Sequence, residues 1–390
     1  MKTYPIEKLL NTISPKGRTL YDADFKALTL AYGLSAVEFS FTGCVLTAHF
    51  KAQCGIQTQT VPMSGAEQSW EVWPLVAVFL DGVEKPYRIF KVDEAQKDEL
   101  IFFSKKKERH TIRIVKMTEA LKTGLQISAF TMDGEVKKAR KRAIPAIEFI
   151  GDSITCGYGV LAQAGTDYFI SEHEDPFKTY GYLAAKELGL EPVMVGFSGI
   201  TAGILYEKPL AMLDIYPYTD AIYELCKKKA TPKEKKTGKV ASFQTLYEDF
   251  GKCLGRFKPT LWDFHTHPVK IAVINLGSND AAAIALAKDR TAKENEFDES
   301  YEYLIRMIRE KNGKKTHIIC ALGDVTYYLY PNICRVVEQY QKETGDKRIY
   351  TLRLGGNVRN DLRGAANHPG VAAQEMMAKE LVAFIREKGL

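Results

Sequence analysis

From Val37 to Thr42 apolar and polar positions alternate without a break, Val37, Phe39 and Phe41 against Glu38, Ser40 and Thr42. That is the period of a strand with one buried and one wet face. Asp81-Gly82 and Asp133-Gly134 suit the tight turns that join antiparallel strands. Residues 1–140 are therefore expected to form an all-β domain. After Ala146 the period changes. Apolar runs suited to strands buried on both faces fall near 146–150, 193–197, 271–276, 317–322 and 348–352, alternating with helical patterns near 177–189, 300–311, 331–343 and 371–388. Asp175-Pro176 offers a helix start and Asn312-Gly313 a stop. This alternation predicts an α/β domain over 146–390, a parallel sheet with helices on both faces, reached through the basic linker Glu135–Pro145.

Reactive chemistry collects where these strands are expected to end. The run Ala146–Ile150 passes into Gly151-Asp152-Ser153, which presents a serine at the carboxyl edge of the sheet, the edge where ligands of open α/β sheets bind. A serine in that place is more often a helix cap than a nucleophile, but two later segments bear on the choice. Ile271–Asp280 runs into Gly277-Ser278-Asn279-Asp280 and brings an amide to the same edge, and Asn367-His368-Pro369 precedes the helical pattern Val371–Lys388. Acyl transfer needs a nucleophile, a base in contact with it and donors aimed at the developing oxyanion. Ser153, His368 and Asn279 supply one candidate for each. Asp280 is expected to hold its loop by hydrogen bonding, and Cys156 to be a small buried side chain.

The ordered strings Gly-Asp-Ser-Ile-Thr (151–155), Gly-Ser-Asn-Asp (277–280) and Asn-His-Pro (367–369), with the glycine block Val193–Gly203 between the first two, resemble the block pattern of the SGNH/GDSL hydrolases. The resemblance implies an SGNH-type α/β/α domain with a parallel sheet, and an oxyanion hole made by the N–H groups of Ser153 and Gly199 and the side chain of Asn279. Leu261–Phe264 and the wording Ile147–Gly159 narrow it to carbohydrate esterase family 2, whose members carry a jelly-roll β-sandwich ahead of the hydrolase domain. The likeness covers nearly the whole chain, with Lys227–Val240 least like the family. It implies a serine acetylesterase removing acetyl groups from plant cell-wall mannan or xylan pieces, so that the expected partner is an acetylated oligosaccharide. The superfamily usually has an Asp three residues before the histidine, and here that position is Ala365. Esterases of this kind are known in which a backbone carbonyl orients the histidine, a part open to Ala365 or Ala366, with Asp361 the less favoured substitute. A deacylase of a non-sugar ester and a non-catalytic carbohydrate-binding protein are the competing readings.

Trp262 and Tyr158 are the aromatics expected to stack on the apolar faces of a bound sugar, core packing being the alternative for each. The tyrosine-rich loop Thr326–Tyr330 follows a strand end and is a further candidate for the cleft. No metal site is expected: His265-x-His267 has no evident third ligand. No cofactor is expected either, because Gly157-x-Gly159 lacks a third glycine, Ala162 standing in its place.

With 390 residues, 45% hydrophobic and 26% charged, the chain can bury two cores. It has no apolar run of the roughly 18 residues that would span a membrane. Residues 1–11 lack the apolar core and cleavage site of a secretory leader, and seven cysteines without a C-x-x-C pair argue against a complete disulfide framework. A cytoplasmic protein acting on an imported oligosaccharide is the expectation. The net charge of +6 comes from 54 basic and 48 acidic residues, clustered at Lys105–Arg109, Lys137–Arg142 and Lys227–Lys239. None of these clusters is interleaved with aromatics, so they read as solvated faces and not as a nucleic-acid surface. The oligomeric state is left open.

Overall fold

A computed structural model describes residues 1–60, 67–139, 144–203, 210–224, 239–240, 259–356 and 362–390. Asp361, most of the lysine-rich stretch 227–239 and part of the Lys137–Arg142 cluster lie outside the described residues. The chain divides into two compact units, Met1–Ala143 with Thr219–Gln244, and Ile144–Tyr218 with Thr245–Leu390.

In the first unit an antiparallel sheet runs in the order Thr19–Asp22, Ala27–Leu30, Thr123–Met132, Ala36–Thr60, Gln96–Lys116, Leu75–Leu80, Arg88–Lys91, with shorter strands pairing off this path. Ala36–Thr60 is 25 residues long. Drawn straight, such a strand would reach roughly 80 Å, well beyond a small domain, so it must bend. A register irregularity between Gly43 and Val45 lies along it. There the inward set switches from odd positions (Val37, Phe39, Phe41) to even ones (Leu46, Ala48, Phe50, Ala52, Cys54), all buried in one core, as the ladder passes from the Gly43–Glu108 pair to the Val45–Phe103 pair and Cys44 faces residues 104–107 of the partner strand. Phe39 packs on Phe130, Phe41 on Phe102 and Phe50 on Phe90, so the sheet closes over itself as a sandwich. Lys105–Arg109 is exposed on its surface.

The sequence places everything after residue 146 in the second domain, but part of that stretch belongs here. Tyr223 Oη donates to Asp22 at 3.0 Å and receives Gln126 Nε2 at 2.7 Å, and Lys239–Val240 pairs with Cys54–Gly55. The anchors are buried polar groups, which leave no hydrophobic period to read.

The second unit is built on five parallel strands: β1 (Ala146–Gly151), β2 (Glu191–Gly196), β3 (Val269–Asn275), β4 (His317–Leu322) and β5 (Ile349–Arg353), in the order β2-β1-β3-β4-β5. Chain direction across the sheet reverses between β1 and β3, which opens a crevice at their carboxyl ends. Gly196, Gly151, Asn275 and Ala321 lie level in one row, so the segments that follow them leave the sheet side by side. Ile147, Phe149, Ile271, Val273, Ile319 and Ala321 pack on one face against α2 (Tyr180–Glu187) and α7 (Val371–Glu387). Between them in sequence lie the strong helical signals α5 (Arg290–Asn312) and α6 (Tyr330–Thr344), α5 burying Phe297, Tyr301, Leu304, Ile305 and Ile308.

All five strands fall within two residues of their expected positions. Helix α5 starts ten residues ahead of expectation, because Asp289 caps it by accepting from Ala292 N and its first turns are polar and carry no apolar period. Among the described residues three short α-helices were not anticipated: α1 (Ser153–Cys156), α3 (Met212–Ile215) and α4 (Ser278–Ala285). Among the described residues no helix is long and apolar enough to cross a membrane.

Candidate active site

Strand β1 ends in a glycine because nothing larger fits: a Cβ on Gly151 would lie 2.0 Å from Thr155 Oγ1, and one on Gly196 beside it 2.0 Å from Gly151 O. The chain then turns into α1. Asp152 caps that helix by accepting from Ile154 N at 3.0 Å, which leaves Ser153 as its first residue, 8% exposed. Gln374 on α7 ties the turn down, donating to Ile154 O at 2.9 Å and accepting from Tyr180 N at 2.7 Å.

His368 reaches this turn from the loop ahead of α7. Ser153 Oγ lies 2.7 Å from His368 Nε2, while Nδ1 lies 3.1 Å from both Ala365 O and Ala366 O. Carbonyl oxygens only accept, so the proton sits on Nδ1 and the Nε2 lone pair faces the serine hydroxyl. The loop is strained: Ala366 (φ 47°) and Asn367 (φ 59°) occupy the left-handed region, where side chains other than glycine are disfavoured. Backbone bonds hold it there, from Ala365 N to Gly159 O (3.1 Å) and from Ala366 N to Thr166 O (2.7 Å). Arg363 adds a pin, donating to Asp324 Oδ2 at 2.9 Å and to Asn367 O at 3.4 Å. Burial raises the Asp324 carboxyl, with the Arg363 charge opposing it.

Asn279 stands in the first turn of α4, at the end of β3. Its Nδ2 donates to Ile200 O at 2.9 Å and to Asp152 Oδ2 at 3.2 Å. Next to it, Asp280 is fully buried and accepts from Ala202 N with both oxygens, at 3.1 and 3.0 Å. These bonds stitch α4 to the loop after β2, in which Gly199 takes φ 83°. Burial pushes the Asp152 carboxyl up to about 7, the bond from Ile154 N pulling against it and the charge of Asp280 adding to the rise.

Ser153, His368, Asn279 and the Gly199 loop are thus brought to one sheet edge. Two sequence expectations are redirected. Tyr158, half-buried, packs on His368 (centroids 4.6 Å apart) and on Phe169 (4.8 Å), at the short end of the roughly 4.5–7 Å range of aromatic contacts, so its ring is engaged with the base. Trp262 stands in the segment that enters the amino end of β3: its backbone N–H donates to Pro217 O, its ring packs on His267 at 4.3 Å, and neighbouring Phe264 packs on Tyr216. Seven residues of β3 separate that end from the serine's, roughly 20 Å of strand. In the loop after β4, Tyr327 is anchored through Leu354 O and under Arg353, whereas Tyr328 is exposed. His265 and His267 are exposed, and no group of three metal-binding side chains occurs among the described residues.

Asp152, Gln374 and the Asp324–Arg363 pair were not singled out by sequence, and Gly159 entered only as part of a glycine pattern. The first had a signal, an Asp directly ahead of a short helix. The others act across chain separations that no local pattern reveals.

A serine in contact with a histidine whose far nitrogen is fixed, at the carboxyl edge of a doubly wound sheet, is the arrangement that serine hydrolases of the α/β/α class use. The profile of the GDSL-like Lipase/Acylhydrolase family matches residues 147–381, and the chain belongs to that family. Among curated proteins it is 27% identical over 288 residues to the cellulase/esterase CelE of Acetivibrio thermocellus, covering 72% of this chain and 30% of that protein. It therefore spans less than a third of that relative's length. It is 22% identical over 293 residues to an acetylxylan esterase/glucomannan deacetylase of Cellvibrio japonicus, covering 72% and 70% of the two chains. An acetyl xylan esterase, Est2A, from Butyrivibrio proteoclasticus shares the fold with a TM-score of 0.76 at 19% identity, over 99% of this chain and 98% of that one.

Proposed function

We propose that this protein is a carbohydrate O-acetyl esterase that releases acetate from mannan- or xylan-type oligosaccharides, with Ser153 as nucleophile and His368 as general base. The observation that carries this reading is the 2.7 Å contact between Ser153 Oγ and His368 Nε2, with Nδ1 committed to two carbonyl oxygens. As Oγ bonds to the acetyl carbon, Nε2 takes the hydroxyl proton and the carbonyl electrons move onto oxygen. The N–H groups of Ser153 and Gly199 and the Asn279 amide receive that charge. The longer of the two Asn279 bonds, 3.2 Å to Asp152, is the one that yields as the oxyanion arrives. Collapse breaks the bond to the sugar oxygen, which leaves with the imidazolium proton. Water, deprotonated by the same Nε2, then frees acetate and restores Oγ–H. The sugar class is supported by the names of the relatives. The free thiols of the described cysteines fit a reducing compartment, and a cytoplasmic site of action is part of the proposal; native protein recovered from culture supernatant would overturn that part.

The test compares acetate release from acetylated manno- and xylo-oligosaccharides with hydrolysis of longer-chain acyl esters. Acetate release that Ser153→Ala abolishes is expected. Preference for long acyl chains, or sugar binding without acetate release, would replace the proposal with one of its two competitors. Asp361→Asn is expected to keep its activity; a loss of about 10⁴ in kcat would transfer the orienting role from the carbonyls to that carboxylate.

A further inference from the structure

We infer that Tyr158 is a positioning residue whose ring stabilises the protonated form of His368. The inference rests on the reading above, in which His368 takes the serine proton. The two ring centroids are 4.6 Å apart and tilted by 44°, inside the roughly 6 Å over which a cation is drawn to an aromatic face. The ring is held in place from both ends. Tyr158 follows the glycine that closes α1, and its N–H donates to Ser153 O at 3.0 Å. Beyond it the ring stacks on buried Phe169 at 4.8 Å and 24°. The turn that carries the nucleophile therefore also carries the ring that covers the base.

Positive charge develops on the imidazole only as Nε2 takes the hydroxyl proton. The two oxygens that hold Nδ1 are neutral carbonyls, and the electron-rich face of Tyr158 adds an attraction that is absent while the imidazole is neutral. An interaction that strengthens on the way to the transition state raises kcat and leaves ground-state binding alone. The described charged and titratable groups on the packed elements are Arg363, paired with Asp324 and bonded to Asn367 O; Asp152, behind Ser153 and facing Asp280; and, on the segment that carries Phe169, Asp167, Glu172, His173, Glu174 and Asp175. All are kept in the variants below, so their titrations cancel in the comparison.

Phenylalanine with zero, one, two and three ring fluorines, placed at position 158, keeps the shape while draining the ring face of negative potential. The acid limb of the kcat/KM profile for acetate release is expected to move to lower pH step by step. The shift should reach about one unit at the far end of the series, with about tenfold loss of kcat and little change in KM. Tyr158→Phe should hold the limb where the wild type has it, and Tyr158→Leu should match or exceed the most fluorinated ring. A limb that stays fixed along the series, or a Tyr158→Phe variant as impaired as Tyr158→Leu, would overturn the inference. Activity surviving in Ser153→Ala would instead sink the reading it rests on, so the two failures are separable.

Discussion

Gly159→Ala adds one methyl group outside the reacting atoms and should nevertheless cripple the enzyme. Gly159 has φ 61°, and a Cβ there would sit 2.4 Å from Ala365 Cβ and 3.0 Å from Ala365 N. Carbon atoms in good contact lie about 3.5–4.0 Å apart, so one segment must retreat by about 1 Å or more. The retreating segment is the one whose Ala365 oxygen lies 3.1 Å from Nδ1 and whose histidine lies 2.7 Å from Oγ. A misplacement of about 1 Å at a reacting group costs on the order of 10² in rate, so kcat should fall about 100-fold with KM nearly unchanged. In stability, the left-handed alanine costs about 1–2 kcal/mol and the overpacking about 1–3 kcal/mol. Gly165→Ala is the control. Its φ is 85°, but nothing lies within 4 Å of the added Cβ. It should lose the same about 1–2 kcal/mol and keep its kcat. Urea unfolding and initial rates of acetate release, measured on both variants, decide the matter. Equal rates for the two, or a full-speed Gly159→Ala, would refute the argument that the histidine loop is held by contact with this turn.

Asn279→Ala should lower kcat by about 10²–10³ in the same assay; a loss below tenfold would remove it from the oxyanion site. Trp262→Ala should leave kcat/KM on acetylated oligosaccharides within about twofold, since the side chain stands roughly a strand's length from Ser153. A large rise in KM would reinstate it as a sugar contact. The Asp152 carboxyl titrates at about 7 in the folded protein against an ordinary 3.8. Between those values the folded state holds a proton that the unfolded state has released, so this group's contribution to stability is greatest in acid and falls as pH rises through that window. Asp152→Asn should remove that slope from urea-derived stabilities, and a slope unchanged in the variant would contradict the assignment.

The strands of the second unit were legible because each is an apolar run bracketed by turn residues; Ser153 and Asn279 stood out because polar groups of matched chemistry follow such runs, and His368 because it stands just ahead of a long helical pattern. What escaped was tertiary. Nothing local marks Gln374 as the tie between α7 and the serine turn, or Arg363 as the partner of Asp324. Helix α4 was hidden because its first turn carries the polar residues that also mark loops. Trp262 misled for a plain reason: closeness along the chain to a site-bearing strand says nothing about which end of the strand a residue occupies. Tyr158 was placed near the site but its contact with His368 was not foreseen, because an aromatic residue in sequence looks the same whether it faces a ligand or a histidine ring.

Nucleophile and base lie 215 positions apart along the chain, and the intervening strands must all find their register before the two can touch. Contacts of such long sequence separation form late in folding. During refolding from urea, ester cleavage should return only after the tyrosine and tryptophan fluorescence has recovered, so that turnover reports the last docking step and not the first collapse.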